Sequence, residues 1–217
     1  FVSTHESGDF FPVGDTTVTY TSTDNHGNQS SETFVIPVDA HENPQISGLS
    51  ADLTLNNDIG ECAAVATWAD PSASDNCEIQ SFTSTHNSGE SFAVGMTVVS
   101  YTALDIHGNE TTDTFTVTVV DAEDPAILGL SGDLSSTNDA GACGANISWS
   151  EPTAEDNCEV QSLTSSHNSG DFFEVGTTTV TYTAVDIHGN EISGSFDVSI
   201  SDDENPAILG LSGDLSS

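Results

Sequence analysis

Lysine and arginine are both absent from this chain of 217 residues, whereas aspartate and glutamate together number 35. The formal net charge is therefore −35 at neutral pH. Because proteins hold the phosphates of nucleic acids mainly through lysine and arginine, their absence excludes nucleic acid as a partner. So large a charge of one sign opposes compaction by self-repulsion, unless salt screens it or cations bind some of the carboxylates.

Long apolar runs and helical periodicity are also missing. No apolar segment approaches the length that spans a bilayer, so we expect no direct membrane insertion by this sequence. What is present is alternation: Val180, Tyr182 and Ala184 alternate with threonine, and Phe196 and Val198 alternate with polar residues. Such alternation, rich in β-branched residues, is typical of half-buried strands. It predicts an all-β fold rather than the disorder that high net charge alone would suggest.

A repeat organises the whole sequence. The motif Asp-x-His-Gly-Asn begins at Asp24, Asp105 and Asp186, a step of 81 residues each time, and prolines, tryptophans and cysteines keep the same step. A fixed period indicates one folding unit used in series. We expect the C-terminal part of a repeat in residues 1–44, complete repeats in 45–125 and 126–206, and the start of another in 207–217. Because any catalytic triad would recur on exposed turns of every unit, we do not expect an enzyme.

The repeat at 126–206 is dense in strand and turn signals. The pattern predicts strands near residues 126–134, 144–150, 159–166, 171–173, 177–185 and 191–200, with a polar loop between the second and the third. About seven short strands in a unit of this length are typical of an immunoglobulin-like or fibronectin III-like β-sandwich. We therefore predict tandem sandwiches in a linear array.

One ordered set of motifs resembles a known family. The set comprises Trp149, the sequence Asp-Asn-Cys at 156–158, the segment from Gly170 to Asp186, the Gly-Asn pair at 189–190 and the Asp-Glu-Asn-Pro at 203–206. It is similar to the hyalin repeat, or HYR domain, an extracellular module with an immunoglobulin-like sandwich fold. The resemblance implies adhesion or extracellular scaffolding rather than catalysis. It also implies a cell-surface location. The module is common in giant bacterial surface proteins and occurs in some animal adhesion proteins, and for this array we expect a bacterial surface adhesin or filament.

The same resemblance bears on the four cysteines. Bacterial repeats of this kind often carry four cysteines each, and this chain keeps two per repeat. The resemblance therefore implies that Cys62 pairs with Cys77 and that Cys143 pairs with Cys158. The predicted strand after Cys143 is an objection, because a straight strand would carry the two cysteines beyond the Cα distance of about 7 Å that a disulfide permits. A bond from Cys62 to Cys158 and free or inter-filament thiols remain as alternatives; zinc is not expected, because no CxxC spacing occurs.

Acidic residues gather where one repeat meets the next. We call residues 39–44 the first linker, 121–125 the second and 202–206 the third. In the predicted topology, two loops of the following repeat lie at the end where a linker enters, so their side chains should meet the linker acids. Ca²⁺ takes six to eight oxygen ligands in flexible geometry, and Mg²⁺ fits less well because it keeps its waters. The alternative is that the linker acids are merely solvated.

The sequence thus predicts one or more Ca²⁺ ions per linker. The candidate ligands around the second linker are Asp121, Glu123, Asp124, Asp156, Asp186 and Asn190. The candidates around the other two linkers are Glu42, Asp75, Asp105 and Asn109 for the first, and Asp202, Asp203 and Glu204 for the third.

Together these features predict a calcium-stiffened stalk or filament module that serves cell-surface adhesion or matrix. Its principal partners would be neighbouring repeats of the same chain. Two alternatives remain: a fibre in which several chains associate laterally, and an immunoglobulin-like module whose loops bind a glycan or a protein.

Overall fold

The computed structural model describes residues 1–206, which form nineteen β-strands without an α-helix. The predicted repeat start at 207–217 lies outside the described residues. Within the described part of the chain, no helix is long and apolar enough to cross a membrane. The protein is all-β, as the alternating pattern predicts.

The strands are short at the start of each repeat and long at its end. In chain order they are β1 (Val2–Ser3), β2 (Gly14–Thr23), β3 (Gln29–Val38), β4 (Gln45–Ser47), β5 (Leu53–Asn56), β6 (Ala63–Val65), β7 (Ser72–Ser74), β8 (Ile79–Ser84), β9 (Ser91–Ala93), β10 (Gly95–Asp105), β11 (Glu110–Val120), β12 (Ala126–Leu128), β13 (Leu134–Thr137), β14 (Gly144–Asn146), β15 (Thr153–Glu155), β16 (Val160–Ser165), β17 (Phe172–Glu174), β18 (Gly176–Asp186) and β19 (Glu191–Ser201).

Two compact units can be described separately. The first comprises Phe1–Leu53, Thr67–Glu90 and Val98–Thr116, and the second comprises Thr54–Ala66, Ser91–Thr97 and, within the described residues, 117–206. The division runs through the predicted repeat 45–125. The first unit therefore holds the first linker, and the second unit holds the second linker and the repeat 126–206.

The first unit contains the sheet β1-β2-β3 and the pairs β4-β7 and β8-β10. Val99, Tyr101 and Phe115 are buried in it. The indole Nε1 of Trp68 donates a hydrogen bond to the hydroxyl of Tyr101 at 2.8 Å, and its ring meets Phe115 edge-on, with 5.1 Å between centroids. A polar contact and an aromatic contact thus fix the same side chain.

In the second unit, the repeat 126–206 forms a β-sandwich. One sheet has the order β13-β19-β18-β16, in which β13 runs parallel to β19, and the other strands form the pairs β12-β15 and β14-β17. Phe173 and Ala145 from the small sheets pack with Val180, Tyr182 and Phe196 from the large one in a common core. The alternation of β18 and β19 therefore places one face of each strand in the core, as the sequence predicts.

The predicted strands near the start of this repeat differ from the observed ones. The expected strand 126–134 is two strands, because the chain turns at Gly129, where φ is 74°, a value that favours glycine. The expected polar loop contains β15, whose residues pair with β12. The expected strand 144–150 ends at Asn146, and Trp149 lies beyond it, with its backbone N–H donated to Ser169 Oγ at 2.8 Å.

Candidate metal centre

Asp186 anchors the turn between β18 and β19. Its Oδ1 accepts backbone N–H groups from His188 at 2.8 Å, Gly189 at 2.5 Å and Asn190 at 2.8 Å, and its Oδ2 accepts Asn190 Nδ2 at 2.6 Å. Gly189 has a φ of 94°, which explains the glycine of the Asp-x-His-Gly-Asn motif. The turn therefore holds a carboxylate in a fixed position at the end of a long strand.

The charge of Asp186 is maintained despite complete burial of the residue. Burial acts to raise the pKa of this carboxyl, but the hydrogen bonds from the Asn190 side chain and from the backbone of the turn outweigh it. The pKa of Asp186 therefore lies below its ordinary value. We therefore treat Asp186 as an ionised carboxylate in the site.

Asp121 is the first residue of the second linker and follows β11 directly. The residue is only 5 % exposed. Its Oδ2 lies 3.0 Å from Nδ1 of His188, and its backbone carbonyl accepts Asn190 Nδ2 at 3.4 Å. The turn that contains Asp186 therefore also contacts the second linker, through His188 and Asn190.

The loop after β15 supplies a third carboxylate. Asp156 Oδ2 accepts the backbone N–H of Cys158 at 2.9 Å, whereas Asp156 Oδ1 and Asn157 Oδ1 are buried and accept no hydrogen bond. One oxygen from each of Asp121, Asp156 and Asp186 can be chosen so that all three lie within 4.8 Å of one another. We call residues 57–62, 121–125, 155–158 and 186–190, all in the second unit, the second joint.

A disulfide closes the second joint. Cys62 and Cys158 are bonded across 96 residues, with a Cα–Cα distance of 4.7 Å, and Cys77 and Cys143 are free. The expected pairs Cys62–Cys77 and Cys143–Cys158 are therefore wrong, and the alternative from Cys62 to Cys158 is correct. The physical reason is that Cys143 and Cys158 lie at opposite ends of their repeat. Cys158 lies at the second linker, whereas Cys143 lines a cleft with residues of the third linker.

The remaining candidates of the second linker have other contacts. Glu123 Oε1 accepts the backbone N–H of Gly60 at 2.7 Å and Asn57 Nδ2 at 3.2 Å, so it fastens the loop that carries Cys62. Asp124 lines an open cleft of about 270 Å³ together with Asp156. Within the second joint, Asp121, Asp156 and Asp186 are thus the residues brought together, while Glu123 has a structural contact instead.

The candidates around the first linker are arranged differently. We call residues 39–44, 75–77 and 105–109, all in the first unit, the first joint. Asp105 is fully buried and Asp75 Oδ1 is a buried atom without a partner, as at the second joint. Asn109 Nδ2 donates to the backbone carbonyl of Ala40 at 3.3 Å. Counted by the repeat period, however, Ala40 stands where the second linker has Asp121.

The first joint therefore lacks the linker carboxylate of the second. Glu42, the remaining candidate there, is exposed. Among residues 1–206, the groups of three or more acidic, histidine or cysteine side chains that could hold a metal all contain Asp121. Metal binding at the first joint stays a prediction without a carboxylate cluster to support it.

At the third linker, Asp202 occupies the position of Asp121. Its Oδ1 accepts the backbone N–H of Glu204 at 3.0 Å, as Asp121 Oδ1 accepts that of Glu123 at 3.3 Å. Glu204 accepts the backbone N–H of Gly141, and Asp203 donates its own N–H to Asn138 at 3.0 Å. These three candidates thus repeat the linker contacts of the second joint.

The sequence predicts that Asn157 meets the linker acids and that the recurrent histidines are turn residues or contacts between units, but it names neither residue as a ligand. His188 contacts Asp121, and Asn157 Nδ2 donates to the backbone carbonyl of Glu61 at 3.1 Å. The partner of the histidine could have been found by placing the recurrent motif beside the linker. The second contact joins residues 96 positions apart, and no local pattern reports such a distance.

These features define a class of protein before any comparison: tandem β-sandwich repeats joined through acidic linkers. The chain belongs to the HYR domain family, which matches residues 1–38, 43–119 and 120–200. It is an extracellular repeat module. The resemblance drawn from the sequence motifs is confirmed.

Two relatives are proteins named hyalin. This chain is 38 % identical to the hyalin of Strongylocentrotus purpuratus over 219 aligned residues. The alignment covers 97 % of this chain but only 18 % of that relative. This chain is 37 % identical over 216 residues to the hyalin of Lytechinus variegatus, covering 96 % of this chain and 41 % of the relative. Both are animal proteins, so the expected bacterial source is not supported.

Solved structures are more distant. A protocadherin gammaB7 EC3-6 cis-dimer shares 16 % identity, with a TM-score of 0.34, over 88 % of this chain and 58 % of that chain.

Proposed function

We propose that this chain is a structural, non-catalytic stalk or matrix module whose second joint binds Ca²⁺. The observation that carries the proposal is the set of three carboxylates, from Asp121, Asp156 and Asp186, gathered within 4.8 Å in a chain without lysine or arginine. Rigid attachment of one repeat to the next would then depend on the ion as well as on the protein.

Electrostatics supports a cation at this position. Like charges at such a distance repel strongly when they are shielded from water, and buried charges persist only when they are paired or bind a metal. The three carboxylates have one imidazole beside them, that of His188. It is partially exposed, and its Nδ1 contacts only Asp121, so it cannot balance the charge of all three. A divalent cation would balance two of the three charges.

The chemistry of the free atoms favours calcium. Asp156 Oδ1 and Asn157 Oδ1 are buried oxygens without partners, and buried polar atoms normally have one. Carboxylate and amide oxygens are ligands for Ca²⁺, which accepts many oxygens in flexible geometry. A site built from two loops and a linker suits that flexibility better than the strict octahedron of Mg²⁺.

The experiment compares calcium binding by the unaltered chain and by Asp156→Asn, measured calorimetrically in chelator-treated buffer. For an extracellular module we expect a Kd of about 10⁻⁴ to 10⁻³ M, and at calcium 100-fold above Kd a gain in stability of about 2.7 kcal/mol. Asp156→Asn should lose most of this gain. Glu32→Gln, at an exposed acid of β3, is the matched control and should keep it.

Equal calcium response in Asp156→Asn and in the unaltered chain would overturn the proposed site. Light scattering during the same titration separates stiffening from assembly. Calcium-dependent stabilisation without a rise in scattering supports the stalk, whereas a rise would favour the alternative of lateral association between chains.

A further inference from the structure

Cys143, which is free, lies on a surface that corresponds, one repeat later, to the surface around the disulfide-bonded Cys62. Cys143 follows Cys62 by one repeat period, and Cys62 is bonded to Cys158, which lies in an Asp-Asn-Cys loop. We call residues 138–143 and 202–206 the Cys143 face. We propose that the Cys143 face docks the Asp-Asn-Cys loop of a further HYR repeat, and that Cys143 forms a disulfide with the cysteine of that loop.

The backbone around the two cysteines has the same hydrogen bonds. Asp58 donates its N–H to the carbonyl of Ala63 at 2.7 Å, and Asp139 donates to Gly144 at 2.8 Å. The carbonyl of Cys62 accepts Val94 N–H at 3.2 Å. That of Cys143 accepts Val175 N–H at 3.1 Å. The loop before Cys143 therefore already has the conformation of the loop whose cysteine is bonded.

The linker contacts are also the same. Asn138 Oδ1 accepts the backbone N–H of Asp203 at 3.0 Å, as Asn57 Oδ1 accepts that of Ala122 at 3.0 Å. Gly141 donates its N–H to Glu204 Oε1 at 2.9 Å, matching the contact between Gly60 and Glu123. The Cys143 face is thus built from the same parts as one half of the second joint.

The incoming loop makes identifiable contacts at the second joint. Asn157 Nδ2 donates to the carbonyl of Glu61, beside the bonded Cys62. One period on, the corresponding acceptor is the carbonyl of Ala142, next to Cys143. An open cleft of about 430 Å³, lined by Cys143, Asp202, Glu204 and Pro206 among others, leaves room for such a loop.

The occupant is a further HYR repeat rather than an unrelated protein. Residues 207–217 reproduce residues 126–136 letter for letter, so the sequence after the third linker restarts the same repeat. The loop itself also occurs twice: Cys77 donates its N–H to Asp75 Oδ2 at 2.9 Å, as Cys158 does to Asp156. Cys77 is therefore equivalent to Cys158, the cysteine of the Asp-Asn-Cys loop, and Cys143 is equivalent to Cys62, which bonds that loop.

The chemistry of the bond is a two-electron oxidation. Two thiols become one disulfide while a disulfide oxidant, such as oxidised glutathione, is reduced to two thiols. In the laboratory, a mixed disulfide can replace the oxidant. The Cys143 thiolate attacks the cysteine sulfur of an activated peptide, the new disulfide forms, and thionitrobenzoate leaves as the thiolate.

The experiment uses the full chain with Cys77→Ser, so that Cys143 is its free thiol, in calcium-free buffer. The probe is a peptide of residues 153–161 carrying a thionitrobenzoate disulfide on its cysteine. A peptide of scrambled sequence, with equal charge and the same cysteine position, is the control. We expect the native peptide to react about tenfold faster, equivalent to about 1.4 kcal/mol.

Cys143→Ser, whose free thiol is Cys77, should react equally with both peptides because its cysteine lies in a loop rather than on a receiving face. The same reaction is repeated with the unaltered chain, so that the result does not depend on the folding of either variant. Peptide mapping should then find the native peptide attached to Cys143. Equal rates for the two peptides at Cys143 would overturn the proposal. Since no calcium is present, this outcome is independent of the proposed metal site.

Discussion

One linker residue decides how many carboxylates gather at each of the two described joints. Asp121 supplies the linker carboxylate of the second joint, and Ala40 takes its place at the first. Asp105 and Asp186 are otherwise equivalent: each is fully buried and held by an Asn side chain and by backbone N–H groups. We therefore attribute the difference in metal-binding capacity to position 121 and its counterpart.

Exchanging these residues should exchange the properties of the joints. Asp121→Ala should weaken calcium binding at the second joint by tenfold or more, about 1.4 kcal/mol, because one of three carboxylates is lost. Ala40→Asp should create a carboxylate beside Asp105 and raise the number of ions bound per chain. Calorimetric affinity and stoichiometry measure both effects. If Ala40→Asp binds no additional calcium, the linker carboxylate is not the deciding residue.

At the scale of elements, the small strand β14 depends on a close approach to β17. A Cβ added to Gly144 would lie 2.2 Å from the carbonyl oxygen of Phe173 and 2.6 Å from the ring of Phe172. One period earlier, β6 has Ala63 and its partner β9 has Ser91 in the place of Phe172. The pair β14-β17 therefore combines a glycine with a phenylalanine, whereas the equivalent pair β6-β9 combines an alanine with a serine.

Gly144→Ala should lower the stability of its repeat by about 1–3 kcal/mol, because backbone must shift to relieve the contact. Ala63→Gly is the matched control and should cost only about 0.5–1 kcal/mol, from the added freedom of glycine in the unfolded chain. Denaturant unfolding followed by the fluorescence of Trp149 and Trp68 measures both. A Gly144→Ala variant as stable as the unaltered chain would contradict the close approach.

For the whole molecule, charge is the dominant property. The net charge of −35 has no lysine or arginine to offset it. Sodium chloride should stabilise the chain by screening, since the Debye length falls from about 10 Å at 0.1 M to about 3 Å at 1 M. Calcium should act by binding, which requires specific ligands and saturates.

The two effects can be separated by melting temperature at matched ionic strength. We expect sodium chloride to raise the melting temperature of both the unaltered chain and Asp121→Ala by similar amounts. Calcium should add a further rise that is larger in the unaltered chain than in Asp121→Ala, because screening does not depend on one residue whereas binding does. An equal calcium increment in the variant would show that calcium acts on this protein merely as a screening ion.

Much of the fold could be predicted from local pattern. The alternation in β18 and β19 predicts both strands within a residue or two, since a strand with one buried face shows the period of two directly. The strand β15 was missed because three residues in a polar loop carry no period, and only pairing with β12 makes them a strand. For the site, the acids near the linker were predicted as ligands, while the specific contact of His188 with Asp121 was not.

The all-β class, the period of the array and the excess of carboxylates follow from the amino-acid sequence alone, because each is visible in composition or in a pattern along the chain. The bond from Cys62 to Cys158 and the meeting of Asp121, Asp156 and Asp186 follow instead from the three-dimensional fold. These contacts join residues far apart in the chain, and which of them form depends on where complete strands place their ends. Local periodicity specifies a strand, but it does not specify which distant loop that strand brings near.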